Sequence, residues 1–141
     1  MREIFSFTPR NKYPHMSVAD TSIWNRFLAK YADAYDRVQY DFHVGDPPPF
    51  NTLMDDDEDL NQDMLYRTRI DVIGHNGADV DIIEVKPRAG ASAIGQVKGY
   101  KTLYERDEQA TGRVNTVIIT DTETTNMRYL CDAENVKLII V

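Results

Sequence analysis

One cysteine, Cys131, is all the sulfhydryl chemistry available in 141 residues. That excludes a disulfide framework and a thiolate metal cluster, and it points to a reducing, cytoplasmic setting. No apolar run approaches the length needed to span a bilayer. The stretch Met1 to Arg10 lacks an apolar core followed by a small-residue cleavage site, so no secretory signal is read there. Basic residues are in the minority: 16 Lys and Arg face 23 Asp and Glu, for a net charge of -7. This excludes a surface coated with phosphate-binding lysines, but not a local basic lip. No internal repeat is visible. What is present, 42% hydrophobic and 28% charged residues, suits one globular domain with its own core.

Apolar periodicity predicts a first helix over about Thr21 to Tyr35, capped by Asp20 or Thr21. Ile23, Phe27, Tyr31 and Ala34 form its stripe, broadened by Trp24, Leu28 and Tyr35. Arg37 to Val44 alternates as a strand, with Val38, Tyr40, Phe42 and Val44 on one side. Asp46-Pro-Pro-Pro49 ends it. An acidic loop insertion follows, about 46–62, containing the run Asp55, Asp56, Asp57, Glu58, Asp59. Consecutive carboxylates without a glycine turn read as a solvated loop rather than a cation loop; a DNA mimic or self-masking flap rests on charge alone. Leu65 to Gly74 and Asp79 to Lys86 read as two strands of a hairpin. Ala93 to Arg106 is a second helix, with Ala93, Val97, Tyr100 and Tyr104 on one face. Thr116 to Thr120 is a strand, Thr125 to Asn135 a third helix in which Cys131 packs, and Lys137 to Val141 a last strand. The expected class is α/β: a mixed sheet flanked by helices.

Asn76-Gly77 supplies the signature of a two-residue type I′ turn. With those two as the loop, His75 pairs with Ala78, Ile73 with Val80, Asp71 with Ile82 and Arg69 with Glu84. One face then carries Arg69, Asp71, Ile73, Val80, Ile82, Glu84 and Lys86; the other carries Ile70, Val72, Asp81, Ile83 and Val85. Asp71 and Glu84 become diagonal neighbours, roughly 7–8 Å apart at the backbone. Carboxylates so placed suit one hard cation, and magnesium fits because it keeps several waters. A surface ion cluster is the plainer alternative. The apolar residues on both faces of these strands argue against it, because unpaired charge is costly in covered strands.

Arg69-Ile70-Asp71-Val72-Ile73-Gly74, Ile82-Ile83-Glu84-Val85-Lys86 and Gln96-Val97-Lys98-Gly99-Tyr100, in that order, resemble the motifs of the PD-(D/E)xK nuclease superfamily. The last matches the Q-x-x-x-Y motif of its exonuclease and repair branch. The resemblance covers about Arg67 to Arg106, and Ile70 stands where the name has proline. It implies a restriction-endonuclease-like α-β-β-β-α-β core. It also implies Mg²⁺- or Mn²⁺-dependent hydrolysis of DNA phosphodiesters, with Asp71, Glu84 and the Val85 carbonyl as metal ligands. Lys86 would orient or help deprotonate the attacking water. Gln96 would line the site, and Tyr100 one turn later would fall on the same side. Several branches add an acid from the first helix, for which Asp33 and Asp36 are the candidates. Small stand-alone members are frequent in phages.

Lys86, Arg88, Lys98, Lys101 and Arg106 gather near this site in the sequence, so DNA would meet a positive lip there, with Arg88, Lys98, Tyr100 and Lys101 as substrate contacts. His15, His43 and His75 lack partners at ligand spacing and receive no catalytic role; His75 is expected exposed in the turn. Two other readings stand beside the nuclease. One is a structural or docking module of a larger assembly, a virion for example, that retains the fold without activity. The other is a homodimeric endonuclease.

Overall fold

The computed structural model describes residues 3–46 and 68–141. The acidic run and the start of the second expected strand, Leu65 to Arg67, lie outside the described residues. Helix α1 spans Val18–Lys30 and strand β1 Arg37–Val44. The hairpin follows as β2 (Thr68–Asn76) and β3 (Asp79–Val85). Then come α2 (Ala91–Glu108), β4 (Val114–Thr120), α3 (Met127–Ala133) and β5 (Lys137–Ile140). The strands form one sheet in the order β1-β2-β3-β4-β5. The first three are antiparallel to one another; β3, β4 and β5 run parallel. The described residues thus form an α/β structure with a mixed five-stranded sheet and three helices. No helix among the described residues is long and apolar enough to cross a membrane.

Helix α1 begins three residues earlier than expected. Ser17 accepts from the Asp20 amide at 3.0 Å, and the Asp20 carboxylate accepts from the Ser17 amide at 3.3 Å. This reciprocal capping box satisfies two amides that have no partner within the helix. Ile23, Trp24, Phe27 and Leu28 are its buried face. Tyr31 is the C-cap and Ala34 lies beyond it, so the expected stripe overran the helix.

Helix α1 covers one side of the sheet with Val38, Tyr40, Val72, Ile83, Val85, Val117 and Ile119 beneath it. On the other side lie Phe42, Val44, Ile70, Ile73, Val80 and Ile82, packed with Tyr104 of α2. Ala93, Ile94 and Val97 of α2 pack with Ile118, Met127 and Cys131, which is fully buried. β1 therefore does not keep one apolar side. Val38 and Tyr40 join the α1 layer, whereas Phe42 and Val44 join the α2 layer. Asp41, at φ 50°, turns the strand over between them. β2 changes layer at the same level: Ile70 packs with Ile73, not with Val72. Alternation assumes extended dihedrals throughout, and one left-handed residue breaks it.

The hairpin register also differs. Asn76 pairs with Asp79, His75 with Val80, Gly74 with Asp81, Ile73 with Ile82 and Val72 with Ile83. The loop is Gly77-Ala78, not Asn76-Gly77. Only Gly77, at φ 62°, is left-handed there. A glycine at the first loop position is the type II′ pattern, whereas type I′ needs both loop residues left-handed. The Asp36 carboxylate accepts from the Gly77 amide at 2.8 Å and helps hold this loop. The slip is two residues, so above the layer change the paired side chains keep their faces, whereas Ile70 moves to the face of Ile73.

Candidate functional site

One further step of the ladder from Val72–Ile83 sets Asp71 opposite Glu84. The two are direct cross-strand partners rather than diagonal neighbours. Between the pairs Tyr40–Val72 and Phe42–Ile70 stand Asp41 and Asp71. Three acids thus form a row across β1, β2 and β3, where the strands turn over.

Glu84 is buried and Asp71 half-buried, and their carboxyl groups lie within hydrogen-bond reach of each other. Asp71 also accepts from the Val85 amide at 2.9 Å. Burial pushes Asp71 above the usual carboxylate range, against the bonds from Glu84 and Val85. Burial also raises Glu84, and the bond to Asp71 and its charge raise it further, while Lys86 offsets part of this. Two like charges so close in a covered site do not both ionise without a cation.

The charge of Asp20 bears on both carboxyls, and that of Asp41 on Asp71. The acid brought to the site by the first helix is therefore Asp20 in its first turn. Asp33 lies beyond the end of α1 and Asp36 serves the hairpin loop. The sequence signal was available: Ser17-x-x-Asp20 has the spacing of a capping box and dates the helix to Val18.

Lys86 follows β3 directly, is exposed, and donates its amide to the Ile119 carbonyl at 3.1 Å. Tyr100 is half-buried; burial raises its hydroxyl pKa, and the charges of Glu84 and Asp71 raise it further. Gln96 is exposed one turn earlier on the same helix. Lys101 is half-exposed, and Arg88 is exposed with its amide donating to Asp121 at 2.8 Å. Lys98 is engaged elsewhere. Its ammonium lies 3.0 Å from the Glu134 carboxylate and donates to the Glu134 carbonyl, pinning α2 to the end of α3. Arg106 pairs with Asp46 and Asp107. The expected basic lip is thus thinner, and acids are closer, than sequence proximity suggested.

The three histidines are also placed differently. His75 sits in β2, half-buried, within 2.7 Å of the Gln39 side chain. His15 and His43 meet at Asp41, with Nε2 to carboxylate distances of 3.2 and 3.5 Å. Arg69 approaches the same carboxylate at 3.4 Å. These four come from three segments far apart in sequence, with Asp41 and His43 both on β1.

Among the described residues no closed group of three or more His, Cys, Asp or Glu is arranged as a metal cage. A hard cation that retains most of its waters does not need one. The donor set at the pair, two carboxylates next to the Val85 carbonyl, is all oxygen and suits Mg²⁺ or Mn²⁺. The pair lies near the carboxyl end of β3, where it runs parallel to β4, the usual edge for ligands in such sheets. An open cavity of about 570 Å³ lies toward the other end, lined by Asp81, Asn115, Asp132 and Lys137, and includes none of the expected site residues. No family model, curated protein or solved structure matches the chain.

Proposed function

We propose that the protein is a metal-dependent nuclease of PD-(D/E)xK type acting on DNA, with Asp71 and Glu84 as the cation-binding carboxylates. One observation carries this reading: two covered acids from adjacent strands stand opposite each other beside a lysine, near the carboxyl end of β3. Two carboxylates so close are costly to ionise together, and a cation of charge +2 lets both do so. When bound, the cation supplies charge neutralisation at the phosphoryl group and acidifies water.

The chain's own residues do the rest. Asp71 is oriented by the Val85 amide, so its free lone pairs point at the shared site. The Lys86 ammonium is solvent-facing and close enough to Glu84 to lower its proton affinity. From there it can hold the attacking water or a phosphate oxygen. Tyr100 is near the pair from α2, Asp20 is near it from α1, and Gln96, one turn before Tyr100, would complete the α2 side. The restriction-endonuclease-like core is supported by the element order and by the antiparallel-then-parallel sheet.

The test is incubation with linear, nicked, branched and single-stranded DNA and Mg²⁺ or Mn²⁺. The wild type is expected to cut at least one of these, and Asp71→Ala and Lys86→Ala to lose about 100-fold or more in rate. Absence of cleavage on every substrate, with no calorimetric Mn²⁺ binding, would sink the proposal and leave the docking-module reading.

A further inference from the structure

We propose that Arg88 is a contact for the phosphate backbone of a nucleic-acid strand, and that Asp121 is the residue that positions it. The identity of the strand rests on the nuclease reading; the holding of Arg88 by Asp121 does not.

Arg88 lies in the turn that leads from β3 to α2, and its backbone is left-handed, at φ 48°. That conformation crowds Cβ against the following carbonyl, so glycine or asparagine is its usual occupant in a turn. Side chains from the end of β4 and the residues after it hold this turn. The Asp121 carboxylate accepts from the Arg88 amide at 2.8 Å, and the Thr120 hydroxyl accepts from the Ala89 amide at 3.0 Å. The Thr124 hydroxyl donates to the Ala89 carbonyl at 2.9 Å. Thr120 and Ala89 are fully buried, whereas Arg88 and Asp121 are exposed. A left-handed arginine is thus fastened by its backbone while its side chain stays in solvent.

Asp121 stands beside an arginine, yet it binds the amide and leaves the guanidinium. Among the described residues the Arg88 guanidinium has no carboxylate within ion-pair distance. The charge of Arg26, from α1, also bears on Asp121, so this carboxylate has a second cation near it. Lys98, Arg106 and Arg128, by contrast, each close on an acid. A free guanidinium offers forked donors that match two oxygens of a phosphate.

Position supplies the second argument. Glu84 pairs with Ile118 and Val85 with Ile119, so the turn stands past the carboxyl ends of β3 and β4, at the end of the sheet where Glu84 lies. Lys86, two residues earlier, is exposed on the same rim. Two exposed cations there suit a chain of phosphates better than a single small anion.

The test uses the full chain with chelator and no metal, so that cleavage plays no part. Binding of a labelled single-stranded oligonucleotide is followed by fluorescence anisotropy from low to moderate salt. Arg88→Gly should bind about tenfold more weakly at low salt, and its slope of log affinity against log salt should be shallower by about 0.7. It should melt about where the wild type does, since glycine takes this φ freely; a residue with only a structural role would move the melt and not the slope. Asp121→Asn and Asp121→Ala both remove a negative charge, but only asparagine keeps an oxygen for the Arg88 amide. Asp121→Asn should therefore bind at least as tightly as the wild type, and Asp121→Ala more weakly than Asp121→Asn, with the shallower slope of Arg88→Gly. Equal binding by the two Asp121 variants would overturn the positioning role. Wild-type slope in Arg88→Gly, or a wild type that does not bind the strand, would overturn the contact. Cleavage in Mg²⁺ is measured separately, so that failure leaves the nuclease reading standing, and absent cleavage leaves the binding result readable.

Discussion

At the scale of single residues, the Asp71–Glu84 pair ties protonation to both stability and binding. Both carboxyls sit above their ordinary values of 3.8 and 4.5 because burial disfavours their charged forms. The folded state therefore holds protons that the unfolded chain releases. Stability from this source is fully present below the ordinary carboxylate range and is lost as pH rises through the raised values. Metal-free protein should accordingly melt at progressively lower temperature from mildly acidic to alkaline pH. E84Q should flatten that dependence and, at alkaline pH, stabilise the metal-free protein by about 1 kcal/mol or more. Its amide still donates to Asp71, while the second buried charge is gone. Thermal melts across pH, wild type beside variant, read this directly.

At the scale of elements, two junctions set how the α1 layer meets the sheet. Ser17 caps α1 and, through the capping box, sets Asp20 in the helix's first turn. S17A should cost about 1 kcal/mol in a denaturant titration. The second junction is where Tyr35 crosses Gly74. The Tyr35 hydroxyl donates to the Asp81 carboxylate at 2.6 Å, and its ring covers Gly74 so closely that an added Cβ would lie 2.6 Å from it. G74A must displace an aromatic ring that is part of the α1 layer, so a loss of about 1–3 kcal/mol is expected from the same titration. Removing only the hydroxyl, in Y35F, should cost less, because Asn115 still donates to Asp81 at 3.1 Å. The order and type of the elements were legible in the residues, since their apolar periods are strong. Their ends were less so. The Ser17 cap and the Gly77-Ala78 loop are decided by single hydrogen bonds and single φ angles, which periodicity does not report.

At the scale of the whole molecule, the proposed cation site would link binding to folding. Mg²⁺ or Mn²⁺ that binds only the folded pair would raise the melting temperature with the logarithm of its concentration once that exceeds Kd. Because the cation displaces protons, the increment should grow with pH, opposite in direction to the metal-free trend. Melts with and without Mn²⁺ at two pH values test this; an increment that shrinks with pH, or survives in Asp71→Ala, would place the cation elsewhere.

The sequence by itself determined the α/β class, the hairpin, and the common face of Asp71 and Glu84. Side-chain alternation survives any even slip, which is why a register wrong by two still brought these two acids together. Only the tertiary structure decided that Asp71 and Glu84 stand directly opposite each other, because that depends on which two residues make the turn. It alone turned the strands over at Asp41, sent Lys98 to Glu134, and gathered Asp20, His15, His43 and Arg69 at one end of the sheet. Those contacts join residues up to 54 positions apart, and no local period carries information over that distance.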